Sequence, residues 1–251
     1  MDPIRLSPSR ISDYQQCPQL YNYRVVQKLA EPISLDAIRG TLVHTILEEL
    51  MNLPTNERTL DSAKQSAPAH WESLKSNTAG LPELVPNDKE WLDRVEALLT
   101  NYFELENPQL FEPTLMEEHL ELKEADLLLL HGYVDRIDIA STGEVRIVDY
   151  KTGKSPRAGY EAKALFQLRF YGLLWFRIHG TIPKLLQLIY LGDKQILKSA
   201  PNETELLTAE KKALQVGADI KISYAKDYWP TQKSRLCDWC SFKNICPAFT
   251  N

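Results

Sequence analysis

Apolar residues first recur at helical spacing near the N-terminus. Ser9, just after Ser7-Pro8, can cap a helix, and the pattern predicts one over 9–26. Ile38, Leu42, Ile46, Leu47 and Leu50 predict a second helix over 36–51, and Pro54 bounds it. Residues 52–112 read as helix, loop, helix. The loop, 77–87, holds Gly80, Pro82 and Pro86, and the second helix carries Trp91, Val95, Leu98, Leu99, Tyr102 and Phe103. After Pro113 the period changes. Leu115, Glu117, His119, Glu121 and Lys123 alternate with Met116, Glu118, Leu120 and Leu122, which suits a strand near a sheet edge. A second strand is predicted over 127–140, with Asp126 at the turn before it, and a third over 144–152 after Ser141-Thr142-Gly143. These three predict an antiparallel meander. A long helix follows over 159–180. Strands over 185–191 and 195–199 flank Gly192-Asp193-Lys194, and a last helix covers 203–225. The order predicts a mixed α/β domain built round a central sheet.

Composition narrows the class. The chain has 251 residues, 43% hydrophobic and 25% charged, so disorder and fibrous repeats are excluded. The longest apolar run, Leu127 to Leu130, falls far short of the ~20 residues of a membrane span. Met1-Asp2-Pro3-Ile4-Arg5 lacks the apolar core of a signal peptide, so a cytoplasmic protein without a membrane partner is expected. The net charge of -5 argues at first against nucleic acid. Its distribution reverses that reading. Residues 46–118 hold 15 acidic and 5 basic side chains, whereas 148–181 hold 6 basic and 2 acidic, and 211–251 hold 7 basic and 3 acidic. One acidic segment sets the sign of the whole.

The densest chemistry lies in Gly132-Tyr-Val-Asp135-Arg-Ile-Asp138 and Ile147-Val-Asp149-Tyr-Lys151-Thr-Gly153. Alternation on a strand puts Asp149 and Lys151 on one face, with Val148 and Tyr150 on the other. A neighbouring strand can place Asp135 beside Asp149. Two carboxylates at a sheet end suit a hard cation such as Mg²⁺ or Mn²⁺. Such an ion can polarise a phosphodiester and acidify bound water, and a nearby lysine can orient that water. The plainer alternative is a surface ion pair, with the carboxylates matched to Arg136 and Lys151.

These two segments resemble the acidic motifs of the PD-(D/E)XK nuclease superfamily, in its RecB-like branch. Arg39-Gly40-Thr-Leu-Val-His44 resembles the N-terminal Gly-x-x-x-His motif, and Gln167-Leu-Arg-Phe-Tyr171 the Gln-x-x-x-Tyr motif. Leu6-Ser7-Pro-Ser9, with Tyr14-Gln-Gln-Cys17-Pro18, is similar to the opening segment. The resemblance runs from residue 6 to residue 247. It implies a restriction-endonuclease-like fold: a mixed central sheet flanked by helices, one nuclease domain over 1–251. Residues 52–112 match no motif and look like a helical insertion. The implied metal ligands are His44, Asp135 and Asp149, with the Tyr150 carbonyl as a further one. Lys151 would assist the attacking water. Gln167 and Tyr171, four apart on a helix, would sit near the metal and touch the DNA backbone. Glu118 is a further acidic candidate.

Four cysteines, Cys17, Cys237, Cys240 and Cys246, are spaced as one plus three. Their arithmetic suits a metal rather than disulfides in a reducing compartment, and zinc or an iron–sulfur cluster fits four thiolates. The same split is similar to the iron–sulfur RecB-like nucleases, of the AddB-type and CRISPR-associated kinds. That likeness implies a [4Fe–4S] cluster joining the first helix to a cysteine-rich tail over 229–251.

Lys154, Arg157 and Arg169 join Gln167 and Tyr171 as expected DNA contacts. Lys151, Lys163 and Arg177 are further basic residues near the motifs, and later Lys233, Arg235 and Lys243 are interleaved with Trp229, Trp239 and Phe242, a mixture that suits single strands. No base-reading motif occurs. No Walker A pattern occurs either, so a separate helicase is a candidate partner. The expected protein is a metal-dependent deoxyribonuclease, an exonuclease acting on single strands or free ends in repair or recombination. A CRISPR-associated spacer-processing nuclease and a non-cleaving DNA-end-binding scaffold are the alternatives.

Overall fold

Six strands form one mixed sheet in the computed structural model, which describes residues 3–124 and 127–250. They are β1 (Ile4–Leu6), β2 (Leu115–Glu124), β3 (Leu128–Ile139), β4 (Val145–Lys151), β5 (Leu185–Tyr190) and β6 (Gln195–Ser199). The path runs β1-β3-β4-β5-β6, with β2 on the other edge of β3. β1 lies parallel to β3 and β4 parallel to β5; the other pairs are antiparallel. The predicted meander is therefore β2-β3-β4. The turn residue Asp126 lies outside the described residues.

Helices cover both faces. α1 (Pro8–Gln16), α7 (Ala162–His179) and α8 (Glu203–Lys226) pack on one side; α3 (Leu35–Asn52), α4 (Leu60–Asn77) and α6 (Asp88–Leu105) pack on the other. Two short helices, α2 (Pro18–Tyr21) and α5 (Leu81–Leu84), complete the set. Side-chain caps at Ser7, Ser34, Thr59, Asn87 and Asn202 fix five of the helix starts. α7 is the crossover that parallel strands require between β4 and β5.

The single N-terminal helix predicted over 9–26 is broken in three. Pro18 has no N–H to donate and pushes the residue before it out of the helical region, so Cys17 is extended, with φ -168° and ψ 114°. α1 therefore ends at Gln16, α2 restarts at Pro18, and a π-helical turn covers Asn22–Val26.

The segment without motifs, 52–112, supplies much of the second core. Trp71 of α4 and Val95, Leu99 and Tyr102 of α6 pack with Val148, Tyr150, Ile189 and Leu191 at the sheet. One buried cation ties this layer to the strands. Arg136 of β3 is fully buried and pairs with Glu106 just beyond α6, at 2.9 Å through both Nη1 and Nη2. Its Nη1 also donates to the Tyr150 hydroxyl at 2.5 Å, and its guanidinium lies 4.4 Å from the Phe111 ring centre. Asp138 adds a second anion at 3.2 Å from Nε. A buried charge is tolerable only when it is paired and hydrogen-bonded in this way. Of the plainer reading of the sequence, the Arg136 half is thus excluded, because Arg136 faces the opposite side and pairs there, whereas the Lys151 half holds: Lys151 is ion-paired to Asp149.

Candidate active site

Alternation slips once in β2 and once in β3, at the same level. In β2, Leu115, Leu120 and Leu122 all pack into the first core although their parity differs, while Met116 packs into the second. In β3, Val134 and Ile137 both enter the first core, with Arg136 on the far side. The pairing register does not change: Met116 stands opposite Arg136 and Glu118 opposite Val134. The slip therefore occupies Glu117 and its opposite number, Asp135. Glu117 takes a left-handed backbone, φ 48°, in mid-strand. A non-glycine residue there costs on the order of 1–3 kcal/mol and persists only where its surroundings hold it.

The slip gathers acids. Ligand atoms of His44, Glu117 and Asp135 lie within 4.8 Å of one another, the one such trio among the described residues. Helix α3 brings His44 over the sheet. Its Nδ1 is 3.4 Å from Asp135 Oδ1, and its Nε2 is 3.1 Å from the Tyr150 carbonyl oxygen. On the next strand the ladder between β3 and β4 stops at the Arg136–Val148 pair, one step short of Asp135 and Asp149. There the Tyr150 N–H donates to Asp135 Oδ2 at 2.6 Å. Asp149 faces the same space, ion-paired to Lys151. From α7, Gln167 Nε2 donates to Asp149 Oδ1 at 3.0 Å and to the Tyr171 hydroxyl at 3.1 Å. Tyr171 sits against Gly132, where a Cβ would meet its ring at 2.6 Å, so the glycine makes room for it.

His44, Asp135, Asp149, Tyr150, Lys151, Gln167 and Tyr171 thus come together as one constellation. Glu117, rather than Glu118, is the added carboxylate. Regular alternation hides it, and the only sequence signal was a pair of adjacent glutamates opposite the Asp135 region. Lys154 and Arg157 sit exposed on the loop between β4 and α7, which Ser155 pins to Asp193. Arg169 is a correction. Two residues from Gln167, it lies on the opposite side of α7 and is ion-paired to Glu205 of α8, away from the cleft. Arg177 is likewise spent on Glu210.

The charges disfavour one another until a cation arrives. Burial, then the negative charge of Asp135, raises the Glu117 carboxyl to about 7. Burial and Asp135 also push Asp149 up, against the pull of Lys151. For His44, burial opposes protonation, but the hydrogen bond and charge of Asp135 outweigh it and raise the imidazole. An oxygen-rich, partly protonated pocket with one imidazole suits a divalent cation such as Mg²⁺ or Mn²⁺. From this pocket a cleft runs past Lys151, Lys163, Arg10 and the start of α1.

The four cysteines are far from this pocket but near one another. Cys17, at the junction of α1 and α2, lines one cavity with Cys237, Cys240 and Cys246 of the tail. All are half-buried and none is in a disulfide. Backbone N–H groups of Gln232 and Ser234 donate to Cys17 and Cys237 sulfurs, each at 3.4 Å. No three of the thiols close within 4.8 Å, so they are not drawn together as ligands of a single ion would be. Trp239 does not cover them; it is 78% exposed. Among the described residues no helix is long and apolar enough to cross a membrane.

Comparison with known proteins agrees with this geometry. A model of the PD-(D/E)XK nuclease superfamily matches residues 5–247. The chain is 26% identical to the Gene 69 protein of Mycobacterium phage D29 and 24% identical to that of phage L5, covering 98% of this chain and 97% of each relative. A solved structure from Eubacterium rectale, of a protein provisionally named an exonuclease, superposes with a TM-score of 0.63 at 12% identity. It covers 98% of this chain and 86% of the other and shows a shared fold.

Because burial and the Asp135 charge raise the Glu117 carboxyl to about 7, a bound cation must displace its proton. Mn²⁺ affinity should therefore rise between about pH 6 and 8, with proton release that calorimetry in buffers of different ionisation enthalpy measures. An affinity flat over that range, without proton release, contradicts the assignment.

Proposed function

We propose, because the chain belongs to the PD-(D/E)XK nuclease superfamily, that it is a metal-dependent deoxyribonuclease working exonucleolytically on single strands or free ends in repair or recombination. The observation that carries the reading is the meeting of Asp135, Asp149 and Lys151 with His44 and Glu117 at the mouth of a cationic cleft. His44, Asp135 and Asp149 would hold Mg²⁺ or Mn²⁺, with Glu117 and the Tyr150 carbonyl beside them. The ion would polarise the phosphodiester and acidify the attacking water. The chain's own groups do the rest. Lys151, released from Asp149 once that carboxylate has a cation, can orient the water and meet the charge growing on phosphate. Gln167 holds the Asp149 carboxylate and orders Tyr171. Lys154 and Arg157 lie on an exposed loop where they can follow the DNA backbone without reading sequence. The exonuclease name of the Eubacterium rectale protein favours attack from ends, and an internal nuclease is the outcome the assay separates.

End-labelled linear and circular single strands, incubated with Mn²⁺, test this. Wild type should degrade the linear strand and spare the circle. Asp149→Ala and Lys151→Ala should each lower the rate about a hundredfold or more. Equal degradation by wild type and both variants contradicts the assigned site.

We further propose that the chain falls in the iron–sulfur RecB-like branch and that its four cysteines hold a [4Fe–4S] cluster. The shared cavity and the two N–H donors to sulfur are what support this reading. Such a group would fasten residue 17 to the tail across more than two hundred residues, which restricts the unfolded chain. Protein purified without oxygen should be brown, with absorbance near ~410 nm that Cys17→Ser bleaches while lowering the melting temperature. A colourless protein carrying one zinc ion per chain contradicts it.

A further inference from the structure

An exposed aromatic shelf adjoins the cleft, and nothing so far gives it a role. Tyr133 of β3 is 58% exposed although it lies between buried Gly132 and Val134. It stands opposite His119 of β2 in the strand register, and the two rings stack with centres 4.5 Å apart and planes 25° apart. His131, two residues earlier on β3, also meets the His119 ring, edge-on at 5.7 Å. One face of the Tyr133 ring is therefore covered by its neighbour, and its exposure leaves the rest of the ring to an outside partner. Most large exposed apolar side chains need no explanation, but this one is held rigid by a second ring and sits two residues from Asp135, about 7 Å along the strand.

Its position is a consequence of the topology. β1 ends its pairing at Leu130, and β4 begins at Arg136. Between them β3 has an open edge, and there the cleft passes. Lys151, Lys163, Arg10, the Arg24–Asp13 ion pair and the hydroxyl-bearing start of α1 line the cleft together with Tyr133. Cations beside a rigid ring are the two parts of a single-strand site: the cations follow phosphates and the ring takes a base. A base inside a duplex already has stacking partners on both faces, so the shelf favours an unpaired strand.

Resting on the nuclease reading, we propose that Tyr133, backed by His119, stacks an unpaired base of the DNA strand next to the phosphate held at the acidic pocket. The shelf thus fixes both the preference for single strands and the register of the strand over Asp135 and Asp149.

Binding tests this apart from cleavage. Fluorescence anisotropy in Ca²⁺, on the full-length protein, should show Tyr133→Ala binding a single-stranded oligonucleotide roughly tenfold or more weakly. Tyr133→Phe and Tyr133→Trp should restore binding, because the ring and not the hydroxyl is needed. Binding to a blunt duplex should change little. In a second measurement, an abasic site is moved along the oligonucleotide. Wild type should lose affinity at one position, and Tyr133→Ala should lose nothing further there. Equal single-strand affinity of wild type and Tyr133→Ala overturns the proposal, and so does an equal loss on duplex. An abasic scan of wild type that is flat at every position overturns it without any variant. These results stand whether or not the protein cuts DNA with Mn²⁺, so failure of the shelf and failure of the nuclease reading remain distinct.

Discussion

The Asp135 carboxylate accepts the Tyr150 N–H where a regular ladder would continue to a backbone carbonyl, and the rest of the site follows from that substitution. With the two strands parted there, Asp135 and Asp149 can face one space without being zipped into a continuous sheet. The paired slip of alternation at Glu117 and Asp135 then turns a third carboxylate toward them. Left alone, three acids in a half-buried pocket repel one another. The raised Glu117 and Asp149 carboxyls record that repulsion together with burial. Function is stored here as local misfit: a left-handed glutamate, an interrupted ladder and acids that a divalent cation would relieve.

The far side of the same strands makes that misfit tolerable. Tyr150 alternates with Asp149, so its ring faces the helical layer of residues 52–112 while its backbone serves the site. Arg136 grips the Tyr150 hydroxyl and Glu106 together. A segment that carries no recognisable motif thereby holds the one backbone unit that bonds both Asp135 and His44.

Strand alternation was enough to read Asp149 and Lys151 onto one face and to place Asp135 beside them. The four-residue spacing of Gln167 and Tyr171 was likewise legible, and so were the meander and the last two helices. Three things were not. The break at Pro18 is written in the sequence, but the apolar pattern runs straight through the proline and masks it. Arg169 lies close to Gln167 in sequence, but residues two apart on a helix point nearly opposite ways, so proximity does not place it in the cleft. Glu117 was hidden by the very rule that located Asp149, because period-two reasoning assigns it the wrong face once the strand slips. Such slips need a tertiary partner to hold them, and a single sequence does not show which partner a strand has.

The central claim is that this irregularity exists to hold a divalent cation. The most direct measurement is anomalous diffraction from crystals grown with Mn²⁺. The account predicts a manganese peak coordinated by His44, Asp135, Asp149 and the Tyr150 carbonyl, with Glu117 directly or through water beside it, and Lys151 moved off Asp149. An ordered pocket without a peak at saturating Mn²⁺, or a peak bound elsewhere with Lys151 still on Asp149, would contradict it.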